Sequence, residues 1–235
     1  LLAPSWGALQ YLISLLNCCT FEINMSCNVD KTVCMVFQPS CKRKSIGTDF
    51  PAFVLNGIAL QFVSEFRYLG HMINNDFTDD DDIKREIRNL FMRTNILIRR
   101  YGKCSVTVKL TLFRAFCMCL YDVGLWRHYS ITVFNKLRSC YNKCIKIFFG
   151  YSRCYSVTEM LAELNLPCFD NLFSSCVHSF KCRWSASNNA LIVHLSSLYI
   201  WTNSGFQYFF SVLFSFSFLF ILLFSSSRYG LCCLK

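Results

Sequence analysis

Between Lys84 and Lys146 the chain carries 14 lysines and arginines against Glu86 and Asp122 alone, a local balance of +12 in a protein whose net charge is +10. A charge excess gathered into one stretch points to a polyanionic partner, either nucleic acid or an acidic membrane surface. The competing interpretation is a solvated helix face. Arg85, Arg88, Arg99, Arg100 and Lys103 can set guanidinium and ammonium groups against phosphates without reading base sequence, and they are the candidate nucleic-acid-binding residues.

Two other clusters could do chemistry. Cys176, His178 and Cys182 form the best metal candidate, but their spacing is unfamiliar and they lie in an amphipathic segment, so buried core cysteines are the favoured interpretation and no metal site is assigned. The 16 cysteines include no Cys-x-x-Cys and no regular framework, which argues for a reducing compartment. Five aspartates fall between Asp76 and Asp82. They lack the alternating ligands, Gly and distal Glu of a calcium loop, and acidic side chains at a helix start favour the macrodipole instead.

The elements that must position these groups follow from periodicity. Ser5 caps a helix whose apolar face is Trp6, Leu9, Leu12, Ile13 and Leu16. Thr32 to Phe37 is β-branched and apolar, as a buried strand is. Phe53–Phe62 and Glu65–Leu69 are predicted to pair as a hairpin about Val63-Ser64. Helical spacing begins at Ile83 and runs to Ile98. It resumes after Ser105, and again from Val133 to Phe148, with Gly150 as the stop. Ser156-Val157-Thr158-Glu159 is a capping box for a short helix ending before Pro167, and Asp170 to Trp184 reads as helix.

At 235 residues the chain is too long for a motif peptide, and its 54% hydrophobic and 16% charged content departs from the roughly 25% charged of soluble domains. The departure is local, because Ala186 to Lys235 carries charge only at Arg228 and Lys235. Within that tail, Phe206 to Phe224 is uncharged and near the length of a membrane-spanning helix. Translation of a polypyrimidine tract would produce the same Phe/Ser/Leu run, and basic residues on the C-terminal side alone would export the body of the chain.

The order of motifs resembles a non-LTR, LINE-type (jockey-like) retrotransposon reverse transcriptase over about residues 1 to 185. The resemblance is carried by Leu1-Leu2-Ala3-Pro4-Ser5 and a helix, then Asn28-Val29-Asp30-Lys31-Thr32 before a strand, and Phe66-Arg67-Tyr68-Leu69-Gly70. Leu125-Trp126 and Phe149-Gly150-Tyr151-Ser152-Arg153 continue it through a helical, thumb-like region. It begins immediately after the family's Tyr-x-Asp-Asp turn, which would put the metal-holding aspartates before Leu1.

That resemblance implies an α+β fold: an incomplete palm remnant (helix, strand and β-hairpin) over 1–75, a basic all-helical thumb-like region over 76–185, and a hydrophobic tail helix within 186–235. It implies a truncated, inactive piece of an RNA-directed DNA polymerase that keeps its template- and primer-binding parts, retains no cofactor, and lacks the aspartates that hold Mg²⁺ in the full-length family enzyme. Lys31 would fall where the family carries a lysine acting as general acid toward pyrophosphate. Phe66, Tyr68 and Gly70 would support the primer. The partners would be RNA or DNA template and primer, in a nuclear or cytoplasmic setting. A single-pass membrane protein anchored through 206–224 and a nucleic-acid-binding module without catalysis are the alternatives.

Overall fold

The computed structural model describes residues 1–37, 50–120, 122–197 and 221–225. The chain is α+β and divides into two units, one formed by Leu1–Phe77 with Ile200–Lys235 and the other by Thr78–Tyr199.

The first unit starts with a short strand β1 (Leu2–Ala3) and helix α1 (Trp6–Glu22). The Ser5 hydroxyl caps that helix by accepting from the Ala8 amide at 3.3 Å. Leu9 and Ile13 are its fully buried pair, packed with Cys34, Phe53 and Leu55. Asn28 then organises a single 3₁₀ turn: its side chain accepts from the Lys31 amide at 3.1 Å, and its carbonyl accepts from the Thr32 hydroxyl at 2.7 Å. The turn feeds strand β2 (Thr32–Val36), the expected strand.

The hairpin expectation needs correcting. The segment 53–62 does not pair with 65–69; each makes its own hairpin. Strands β3 (Val54–Leu55) and β4 (Ile58–Ala59) close about Asn56-Gly57 with φ of 54° and 78°. After β5 (Gln61–Phe62), strands β6 (Glu65–Tyr68) and β7 (His71–Asn74) close about Leu69-Gly70 with φ of 49° and 96°. Two consecutive positive φ values define the two-residue turn whose twist matches that of a hairpin, and glycine takes the second position without steric cost. A turn at Val63-Ser64 would have needed the same dihedrals from a β-branched residue.

Strand β8 (Ile221–Ser225) lies in the first unit's sheet, in the order β1-β8-β2-β5, antiparallel to β2, while β5 pairs with β2 in parallel. The tail helix expected over 206–224 is therefore strand at its C-terminal end, and the remainder of that segment lies outside the described residues. No helix among the described residues is long and apolar enough to cross a membrane.

The second unit is helical: α2 (Asp80–Tyr101), α3 (Val106–Cys117), α4 (Ile131–Phe149), α5 (Val157–Glu163), α6 (Phe169–Ser185) and α7 (Ala190–Ser197). Gly150 ends α4 with φ of 85°, and the Lys146 carbonyl accepts from the Gly150 and Tyr151 amides, both at 2.9 Å. The Ser156 hydroxyl caps α5, as the sequence predicts. One core runs through all of α2 to α6, with Leu90, Phe113, Leu137, Tyr141 and Ile145 among its buried residues. Tyr141 is buried with its hydroxyl donated to the Pro167 carbonyl at 2.9 Å, so burial leaves no orphaned polar group.

Candidate nucleic-acid interface

Helices α2 and α4 run side by side in the same direction. Their contacts advance together along both: the Asp80 carboxylate accepts from the Ser130 amide at 2.7 Å, the Cys140 thiol meets the Ile87 carbonyl at 3.8 Å, and the Lys143 ammonium stands 5.5 Å over the Phe91 ring. Parallel helices that are close in sequence need a return crossing, and the chain makes it through α3 and a 3₁₀ turn at Val123–Leu125.

The aspartate run holds that return in place. Asp79 Oδ2 accepts from the Arg127 amide at 2.6 Å and the His128 amide at 2.7 Å, while the Asp79 amide donates to the His128 carbonyl at 2.7 Å. Asp82, fully buried, accepts from the Trp126 indole at 2.8 Å and from Arg85 Nε at 2.6 Å. Each acid thus has a specific amide, indole or guanidinium partner in addition to the favourable helix dipole. Sequence reasoning found the helix start but not the amide and indole partners, which lie 44 to 50 residues away.

The network takes Arg85 out of the phosphate-contacting set. Its side chain is 13% exposed and its guanidinium meets Asp82 at 2.6 Å, Asp122 at 2.9 Å and Glu86 at 3.5 Å. Three carboxylates compensate the charge and fix its direction, so Arg85 is a structural arginine. Several other basic residues of the stretch are also committed. Arg93 pairs with Glu86, Arg138 with Asp170 at 2.6 Å, and Lys146 donates to the carbonyls of Arg153 and Tyr155 at 2.8 and 2.6 Å.

Arg88, Arg99, Arg100 and Lys103 are exposed, with no carboxylate partner among the described residues. Arg99 and Arg100 occupy the last turn of α2, and Lys103 follows Gly102, where the helix ends. Cations there complement the helix C-terminus and leave their heads in water.

Sequence reasoning overlooked a second set. Lys84 and Arg88 on α2 face Lys136 and Lys143 on α4 across a groove of about 620 Å³ whose floor includes Ile87 and Phe91. Among the described residues no acidic one lines it. Lys84 also pairs with Asp81 at 2.9 Å, which raises its pKa, first through that hydrogen bond. The sequence signal was present: Lys84 and Arg88 are four apart and Lys136 and Lys143 seven apart, the spacings that put residues on one helical face. The missing information was that these two faces adjoin.

In the first unit, Lys31 is exposed at the end of the Asn28 turn. Phe66 packs beside Met35 and Phe37 in a small core with Ile73 and Phe77. Tyr68 is half-buried on the same face of β6 as Phe66, and Gly70 serves the β6–β7 turn. The Cys176, His178 and Cys182 group is not brought together as a trio. Cys182 Sγ and His178 Nε2 lie 3.4 Å apart on the exposed face of α6, whereas the Cys176 thiol is partly buried toward the Leu120 backbone. Buried thiols elsewhere are held protonated: desolvation pushes Cys34 up to about 12 and Cys117 up to about 11.

No family model, curated protein or solved structure matches the chain.

Proposed function

We propose that the chain is a template- and primer-holding part of a retrotransposon-type RNA-directed DNA polymerase, binding nucleic-acid backbone and carrying no polymerase chemistry of its own. The observation that carries the binding half is the set of exposed cations along α2 and just past its end, Arg88, Arg99, Arg100 and Lys103, on a helix whose Asp80 and Asp82 are bonded to the 126–130 segment. Backbone binding of this kind is sequence-independent and driven by counterion release. The polymerase half rests on the motif order from Asn28-x-x-Lys31-Thr32 to Tyr68-Leu69-Gly70. In this reading the exposed Lys31 stands for the lysine that acts as general acid toward pyrophosphate in the whole enzyme, and the β6–β7 hairpin supports the primer.

The test is fluorescence anisotropy of the full chain with labelled RNA, DNA and hybrid oligonucleotides across a salt series. Replacing Arg99, Arg100 and Lys103 together by alanine is expected to shallow the plot of log affinity against log salt by about 2 for a single strand, with base preference unchanged. Unchanged affinity and slope would remove these residues from the interface.

A further inference from the structure

The groove between α2 and α4 has features that the exposed cations at the end of α2 do not. Its two walls carry positive charge of independent origin, Lys84 and Arg88 on one side and Lys136 and Lys143 on the other. Arg88, Lys136 and Lys143 face a shared space with no carboxylate partner among the described residues, while Lys84 keeps its surface pair with Asp81, so the groove carries a net positive field that an anion would relieve. One of the four is also preorganised, since the Phe91 ring holds the Lys143 ammonium over the groove. Ile87 and Phe91 make the floor apolar, and a low-dielectric floor strengthens the field of the cations above it.

The dimensions narrow the choice of anion. Helices α2 and α4 pack directly on each other beneath the groove, the Cys140 thiol of α4 meeting the Ile87 carbonyl of α2 at 3.8 Å. A furrow between two touching helices is narrower than one helix, about 10–12 Å. A duplex, whose major groove alone is about 12 Å wide, can only rest on the crests. Along the helices, the seven residues from Lys136 to Lys143 span about 10 Å, so the cations form a line and not a point cluster. A line of positive charge in a narrow furrow fits a chain of phosphodiesters better than one small anion.

We propose that the α2/α4 groove is a binding site for the sugar–phosphate backbone of a single nucleic-acid strand, with Lys84, Arg88, Lys136 and Lys143 as its phosphate contacts. The site rests on the nucleic-acid-binding reading above and assigns it a location and a strandedness.

The experiment uses the full chain with labelled oligo(dT), a blunt DNA hairpin duplex, and vesicles of phosphatidylserine and phosphatidylcholine. Replacing Lys136 and Lys143 by glutamine should weaken oligo(dT) binding about 20-fold at 0.1 M salt and shallow its salt slope by about 1.4, the share of two single-strand contacts. Lys136→Arg with Lys143→Arg should restore both, and duplex binding should change less than 3-fold. Acetylation footprinting of the unsubstituted chain needs no variant: oligo(dT) should protect Lys136 and Lys143, and the duplex should not. Equal acetylation with and without oligo(dT) would overturn the groove assignment, as would an equal loss of duplex binding in the glutamine variant. Vesicle binding that is lost with the two lysines while oligo(dT) binding is retained would give the groove to anionic lipid. If the unsubstituted chain binds none of the oligonucleotides, the broader reading falls with it; if it binds them but Lys136 and Lys143 are unprotected, only the groove does.

Discussion

The Trp126 indole N–H donates to a carboxylate oxygen of Asp82 at 2.8 Å, with both side chains buried and 44 residues between them in the chain. The bond ties the loop before α4 to the first turn of α2, and with the Asp79 and Asp80 bonds it sets the two helices parallel and in register. The cationic groove depends on that register.

Asp82→Ala should therefore be among the most damaging single changes in the second unit. It removes the partner of both Trp126 and Arg85, leaving Arg85 with Asp122 and Glu86 at 13% exposure. Breaking a buried ion pair from one side costs about 3–5 kcal/mol. Trp126→Phe, which loses one hydrogen bond and leaves an acceptor short of a partner, should cost about 1–3 kcal/mol. Urea unfolding followed by far-UV circular dichroism, which reports the helical unit, checks the order of the two.

Gly124 packs against the body of the Phe180 side chain so closely that a β-carbon there would overlap its Cβ and Cγ atoms. Those atoms are anchored near the α6 backbone and cannot swing away. Gly124→Ala should cost about 1–3 kcal/mol by overpacking, and Gly124→Ala with Phe180→Ala should regain part of the loss. Thermal unfolding of the two variants measures the coupling.

Glu163 accepts hydrogen bonds from the hydroxyls of Tyr151, at 2.7 Å, and Tyr155. The bond from Tyr155, then that from Tyr151, depresses the carboxyl pKa, while the same contact raises Tyr155 to about 12. A depressed carboxyl contributes stability above its unfolded value near 4.3 and loses it as pH falls through the lower folded value. The raised tyrosine contributes below its unfolded value near 10 and loses it as pH rises through about 12. The Tyr–Glu latch should hold from about pH 4.3 to about pH 10, and Glu163→Gln should bring the Tyr155 titration down toward its ordinary value. Tyrosinate absorbance across an alkaline titration reads that shift.

Native alkylation should separate the cysteines by burial. Cys18, Cys154, Cys168 and Cys182 are exposed, whereas Cys34, Cys117, Cys140 and Cys144 are buried. The thiolate is the reactive form, and desolvation keeps Cys34 and Cys117 protonated. Mass spectrometry after brief iodoacetamide treatment should find the first four modified and the second four intact; labelling of Cys117 at the rate of Cys154 would contradict this packing.

Primer extension by the chain on an RNA template should remain at background with Mg²⁺ or Mn²⁺. Asp79, Asp80 and Asp82 accept hydrogen bonds from the 126–130 segment, and under the proposed function no aspartate of the sequence stands for a polymerase's metal-holding pair. Template-dependent incorporation above background would refute the proposal of a part without polymerase chemistry.

Local signals in this sequence were enough wherever one segment decides its own conformation. Ser5, Ser156 and Gly150 mark helix ends because capping is settled within three or four residues, and the apolar period from Ile83 to Ile98 is satisfied by a single helix face. The hairpins were half legible: Asn56-Gly57 is a strong two-residue turn signal that composition alone let pass, whereas Leu69 at positive φ has none. Net charge was legible too, but not its division. Whether an arginine meets solvent or a carboxylate depends on residues brought from 32 to 37 positions away, as Asp122 is to Arg85 and Asp170 to Arg138. Periodicity puts Lys84 with Arg88 and Lys136 with Lys143 on single faces, and only the packing of α2 along α4 makes those faces the two walls of one groove. Electrostatic work is done through space, and distance in space is the quantity that a linear sequence does not carry.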